Sequence, residues 1–340
     1  MFKSLKIHFK LKISNFKLYW PLLFTAIAIG FNLFLLFPET GIKADLNDSV
    51  FALSLISRLN LVLSEITQNG LQISKLPLLV DNWVPEFNMG FPVFSYYQHL
   101  PHLTIVVLYR LFSIFHFPFS ILDIFNWFKY LMLCLYPLAI YLSARKFGLS
   151  KIASGVSSLI STLISTQYLY GTDYNSLVFR GSGMYTQLWG MFFLPLAVSH
   201  IYDSIINNRG YIKAVIFLAL SFSGHLIFGY MAILCTPVII LSIILSQNIN
   251  KIIDVTFKYS KRLFLILTSC FLLLSYWFIP LFLNSAYQNR SLWDDQTKFN
   301  SFGAIQILKW LVNGQLFDNN RFPVLTIAVA MGFFYALYKF

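Results

Sequence analysis

Hydrophobic positions in this chain come in long blocks, not in the alternation or the three-to-four spacing of water-soluble elements. Apolar runs cover 18–37, 121–143, 152–170, 188–205, 214–224, 226–246, 263–284 and 322–340. A run of about 18 apolar residues can cross a ~30 Å hydrocarbon core as a helix. The pattern therefore predicts an all-α polytopic membrane protein with eight spans. The fifth run is too short to cross unaided and ends in "SGH", which predicts a shallow bend around Gly224 and His225 joining it to the sixth. Two long stretches, 38–120 and 285–321, are expected as outer loops, with a shorter outer segment at 171–187.

Inside 38–120 the pattern changes. Over 49–68 the polar residues Ser54, Ser57, Arg58, Ser64, Glu65 and Gln68 recur at three- and four-residue steps, one stripe on an otherwise apolar helix. Such a helix lies in the interface plane. Asp48 stands at its N-cap and Asn69-Gly70 punctuates its end. The run 101–117 is placed in or on the outer leaflet, because its crossing would put the basic block at 144–151 outside. Between the two lies "NWVPEFNMGFPVFSYYQHLPHL" (82–103), where Pro85, Pro92 and Pro101 forbid a continuous helix. Non-helical backbone at membrane depth must be buried in protein or line a wet cavity. This loop is therefore expected to pack down onto the spans.

Composition agrees with the pattern. Of 340 residues 57% are apolar and 11% charged, with mean hydropathy +0.67, against about 25% charged in soluble domains. The net charge of +12 sits in short blocks beside the apolar runs, at 3–17, 145–151, 209–213 and 251–262, with Lys339 at the end. That is a topology signal, not a nucleic-acid surface. It places these blocks in the cytoplasm with the N-terminus, and the basic lead before 18–37 reads as a signal anchor, too long and uncleavable for a signal peptide. Only the acids Asp203 and Asp254 fall on that side, so chemistry is expected to face outward. Cys134, Cys235 and Cys270 lie singly in apolar runs and read as core residues. The last run reaches the final residue, so 1–340 is expected to be one transmembrane domain, a C-terminally truncated module of a longer protein.

A signal anchor, an outer Asp before an amphipathic helix and then "G…P…W.P..N.GFPVF.YY..LPH" resembles the polytopic GT-C glycosyltransferases. The nearest likeness is to the bacterial and archaeal branch catalogued as pterin-synthase-related membrane proteins. The stretches "FRGSGMYTQLWGMFFLPLAVSH" (179–200), "SGHLIFGYMA" (223–232) and "SYWFIPLFLNSAYQNRSLWDD" (275–295) fit the same branch in order. The resemblance implies transfer of a sugar from a polyprenyl-phosphate donor to a glycan, lipid or protein acceptor at the outer face of a prokaryotic plasma membrane. It implies an acidic residue of the first outer loop as base or metal ligand, so a divalent metal is a candidate cofactor. Asp48 and Asp45 are the candidates. In the branch a His follows the acid by four residues, and "DSVFAL" puts Ala52 there, a departure that removes a neighbour of the acid.

The donor phosphate needs fixed cations, and Arg180, with Gly181 and Gly183 beside it, is the first candidate, followed by Arg290 and Lys298. Gln187, His99, His102, Tyr97, Trp83 and His225 complete the candidate substrate-binding set. Trp83, Phe91, Phe94 and Tyr96 also read as an interfacial aromatic belt, and the histidines as hydrogen-bonders at helix ends. Lys129 lies deep in its helix and faces the bundle or snorkels outward; Asp123, six residues away, is on nearly the opposite face. No nucleotide loop, zinc spacing or Ser-His-Asp order occurs. The alternatives are a transporter or flippase of lipid-linked substrates, which would show two similar halves that this chain lacks, or a catalytically inactive membrane scaffold.

Overall fold

The computed structural model describes residues 20–43, 48–68, 70–85, 90–163, 185–245, 252–287, 302–318 and 322–339. These residues are nearly all helical. The helices are α1 (20–35), α2 (Asp48–Thr67), α3 (Val93–Tyr96), α4 (Leu100–Ile114), α5 (Ile121–Lys146), α6 (Lys151–Ile160), α7 (Tyr185–Asn207), α8 (Tyr211–Gly224), α9 (Leu226–Leu245), α10 (Ile252–Leu283), α11 (Ala304–Val312), α12 (Gln315–Asp318) and α13 (Val324–Lys339). Short 3₁₀ turns at Phe37–Gly41 and Ile73–Leu79 lie in the first loop.

Among the described residues four helices are long and apolar enough to cross a membrane by themselves: 48–67, 121–146, 185–207 and 253–283. Large apolar side chains stay exposed along the bundle, among them Phe34, Ile212, Phe264 and Met331, a surface suited to lipid. The chain has the build of a helical membrane protein. Three of the four long helices coincide with runs read as spans. The fourth is α2, read from its polar stripe as in-plane; its length alone would also let it cross. α10 starts at Ile252, well before the apolar run at 263, so Lys258, Lys261 and Arg262 ride on the helix instead of a loop. The later outer stretch carries α11 and α12. Residues 164–170 of the third run lie outside the described residues.

Local chemistry explains the ends. Ser120 and Asp123 form a capping box at the start of α5, with Ser120 Oγ accepting from Asp123 N at 3.1 Å and Ser120 N donating to the Asp123 carboxylate at 2.9 Å. Arg145 and Lys146 close the same helix, where cations suit the dipole. His225 is extended (φ −157°, ψ 122°) and separates α8 from α9, the bend expected there. Gly224 and Gly190 make that bend compact: a Cβ on Gly224 would lie 2.9 Å from the Gly190 amide.

Part of the polar stripe of α2 meets partners within the protein, while Ser54, Ser57 and Gln68 stay exposed. Arg58 donates to the Trp83 carbonyl at 2.7 Å. Arg110 of α4 donates to Asn60 Oδ1 at 2.7 Å and to the Ser64 hydroxyl. Glu65 meets Lys75 at 3.4 Å. The apolar side of α2, with Leu55, Ile56 and Leu59 fully buried, joins Phe94, Ile105, Phe125 and Tyr185 in one core; a second core joins α7, α8, α9 and α10 around Ile201, Leu218 and Trp277. Cys134 and Cys270 are buried as expected, whereas Cys235 is exposed.

Charged contacts divide the two ends of the bundle. At one end Lys146 pairs with Asp203 at 2.8 Å, and Arg262 donates to the Ile205 carbonyl at 2.5 Å. The first-loop residues gather at the other end, against the beginnings of α5 and α7 and the end of α10.

Candidate functional site

The 82–103 stretch folds onto the helices as its prolines and aromatics require. An antiparallel bridge pairs Val84 with Phe91, their amides and carbonyls bonded at 3.0 and 3.1 Å. Tyr96 then donates to the Asn284 carbonyl at 3.3 Å, and Tyr97 shares a 3.1 Å hydrogen bond with Thr186 at the start of α7. His99 Nε2 meets the Tyr276 hydroxyl of α10 at 2.8 Å, and Tyr185 donates to the Pro101 carbonyl at 3.0 Å. One loop is thus pinned to α7 and α10.

Asp48 is the first residue of α2, and its side chain is exposed. Among the described residues its carboxylate makes no capping hydrogen bond. It lies close enough to Tyr97 to act on it: burial raises the pKa of the Tyr97 phenol, and the Asp48 charge pushes the same way against the Thr186 hydrogen bond. Next to it Ser49 is buried, with Lys129 Nζ of α5 at 3.5 Å from its Oγ. Lys129 also lies 3.8 Å from the fully buried Glu39 carboxylate and 4.5 Å from the centre of the Phe125 ring. Burial outweighs that ammonium and raises Glu39 to about 7. Lys129 therefore faces the bundle, and its partner comes from the first loop.

His99 and His102 are buried hydrogen-bonders of the loop. Burial lowers their pKa values to about 4 and about 3, so both are neutral near pH 7. His102 Nδ1 lies 2.9 Å from the Gln98 carbonyl. His99 Nδ1, His102 Nε2 and Gln98 Oε1 are buried with no hydrogen bond among the described residues. Gln187 is buried one residue beyond Thr186. His225 sits at the α8–α9 break against Gly190 and Phe228, apart from the first-loop contacts just described. Trp83 is 57% exposed. Asp45, Arg180, Arg290 and Lys298 lie outside the described residues.

The structure brings Asp48, Tyr97 and Gln187 to one end of the bundle, beside Glu39, Ser49 and Thr186, which sequence reasoning did not single out. Glu39 stands in "FPETG", which reads as a plain turn; only the cost of burying Lys129 hinted that an acid had to come from elsewhere. Among the described residues no three His, Cys, Asp or Glu side chains gather for one metal ion.

Two cavities flank this end. An apolar groove of about 480 Å³ runs between α4 and α5, lined by Leu108, Phe112, Phe119, Ile124, Trp127 and Phe128. A mixed pocket of about 380 Å³ opens beside the hairpin of the first loop. No family model, curated protein or solved structure matches the chain.

Proposed function

We propose that this protein is a membrane glycosyltransferase that moves a sugar from a polyprenyl-phosphate donor to an acceptor hydroxyl at the outer face of a prokaryotic plasma membrane. The observation that carries the reading is the Asp48 carboxylate: exposed, free of capping bonds, and set between Tyr97 and the Lys129-backed start of α2. It is joined by the order of sequence stretches that resembles GT-C enzymes. In the reaction the acceptor oxygen forms a bond to the sugar C1 as the bond from C1 to phosphate breaks. Polyprenyl phosphate leaves, and the acceptor proton passes to Asp48. The groove between α4 and α5 offers an apolar bed for the polyprenyl chain, and Arg180 is the residue assigned to its phosphate.

A positioned base contributes about 10²–10⁴-fold. Asp48→Asn keeps the size of the side chain and remains a good helix cap, but it cannot take a proton. Transfer of radiolabelled sugar from polyprenyl-phosphate donors by detergent-solubilised protein should drop by about that factor at unchanged protein level. Transfer equal to the parent's would remove Asp48 from catalysis, and absence of transfer by the parent itself would remove the enzyme reading.

A further inference from the structure

The mixed pocket beside the first-loop hairpin is lined by Asp81, Trp83, Phe91, Ser95, Tyr96 and Asn284. Its walls come from separate parts of the chain that the fold holds in place. Arg58 of α2 anchors the Trp83 carbonyl at 2.7 Å, and the Val84–Phe91 bridge fixes the base of the hairpin. Asn284, at the end of α10, is tied in by Tyr96, whose ring stacks on Phe91 at 5.3 Å and 23°.

Gly90 shows that the Trp83 ring is seated by design of the backbone. Its φ of +105° is a conformation that L side chains rarely adopt, and a Cβ there would meet Trp83 Nε1 at 2.3 Å. The indole therefore rests against bare backbone around its Nε1. It is 57% exposed, a large amount for a ring held so tightly, so its exposure is not that of a loose side chain.

The lining chemistry is specific. An exposed indole beside two stacked rings offers flat apolar surface, and Asp81, Ser95 and Asn284 offer hydrogen-bonding groups at its margin. A pyranose ring has that dual character: axial C–H faces that lie on aromatic rings and equatorial hydroxyls that donate to a carboxylate or amide. A volume of about 380 Å³ is within the range of small-ligand sites. Among the described residues the lining carries no Lys or Arg, and the polar groups described there suit a neutral ligand.

We infer that this pocket binds a neutral glycan and that the acceptor of the proposed transfer is sugar-terminated, not a bare lipid or protein side chain. The acceptor role rests on the glycosyltransferase reading; the binding does not. Tyr96 lines the pocket while Tyr97, the next residue, faces Thr186 and Asp48. A glycan seated on Trp83 would thus lead toward the proposed base.

The test is direct binding to the full chain in detergent micelles, by isothermal titration with neutral mannose, glucose and N-acetylglucosamine trisaccharides up to about 10 mM, with tetramethylammonium as competitor class. At least one trisaccharide is expected to bind. Trp83→Ala should weaken it by about tenfold or more, Trp83→Phe less, and Asp81→Asn, an exposed and fold-neutral change, about threefold. Asp48→Asn should bind like the parent. Absence of binding across the panel, binding indifferent to both Trp83→Ala and Asp81→Asn, or selective binding of tetramethylammonium would each overturn the inference. Trp83-dependent binding together with no transfer by the parent would leave the pocket standing and the enzyme reading fallen. Asp48-dependent transfer without glycan binding would do the reverse.

Discussion

Lys129 of α5 and Glu39 of the first loop approach to 3.8 Å in an interior where the glutamate is fully buried. Neither carboxylate oxygen has a hydrogen bond among the described residues, so the lysine is its main polar neighbour. Removing one member of such a pair leaves the other charge uncompensated, at a cost of about 3–5 kcal/mol, whereas removing both can be neutral. Lys129→Met should therefore lower the thermal midpoint of the solubilised protein sharply, and Glu39→Gln combined with Lys129→Met should recover most of the loss. A double variant no better than Lys129→Met would show that the two side chains do not act together.

Proton linkage gives opposing slopes. The pKa of Glu39 is raised from 4.5 to about 7, so its contribution to stability is full below pH 4.5 and is lost as pH rises through 7. His99 is lowered from 6.5 to about 4, so its contribution is present above pH 6.5 and is lost as pH falls through 4. Relative to the parent, Glu39→Gln should gain stability as pH rises from 5 to 7.5. His99→Gln should gain as pH falls from 6.5 to 4.5. Midpoints measured across this range for the parent and both variants check the signs; parallel curves for all three would contradict both.

Gly90→Ala tests the seating of Trp83. The added methyl meets the indole, and φ of +105° adds strain of about 1–3 kcal/mol. The variant should fold with a modestly reduced midpoint, show a red-shifted and more quenchable tryptophan emission, and lose trisaccharide binding. Emission and quenching identical to the parent's would mean that the ring does not depend on that glycine.

Sidedness can be read by labelling in intact cells. With Cys134, Cys235 and Cys270 replaced by serine, a cysteine at Ser74 in the first loop should react with an impermeant maleimide. One at Lys151, beside the Lys146–Asp203 end of the bundle, should react only after permeabilisation. Reaction of Lys151→Cys in intact cells would place α4 across the membrane and reverse every later segment.

What the sequence made legible was what local chemistry decides. Hydrophobic blocks predicted the helices, and "SGH" predicted the break at His225. The basic block ending α5 and the acid Asp203 were assigned to one side from charge alone, and they pair at 2.8 Å. Contacts between distant parts of the chain were not legible. Glu39 finds Lys129, and Tyr97 finds Thr186, only because α2, α5 and α7 pack together, and no spacing in the sequence encodes that. The polar stripe of α2 was read as the mark of an in-plane helix; Arg58, Ser64 and Glu65 of that stripe hold Trp83, Arg110 and Lys75. Periodicity reveals that a face is polar but does not say who will meet it.

The break at His225 bears on how the chain is made. α8 has fourteen residues and rises about 21 Å, short of the ~30 Å hydrocarbon thickness. A nascent chain halted at that point would hold in the translocon a segment unable to partition into lipid by itself. We expect α8 to enter the bilayer together with α9, as one hairpin. A charge introduced into α9 should then strand α8 as well.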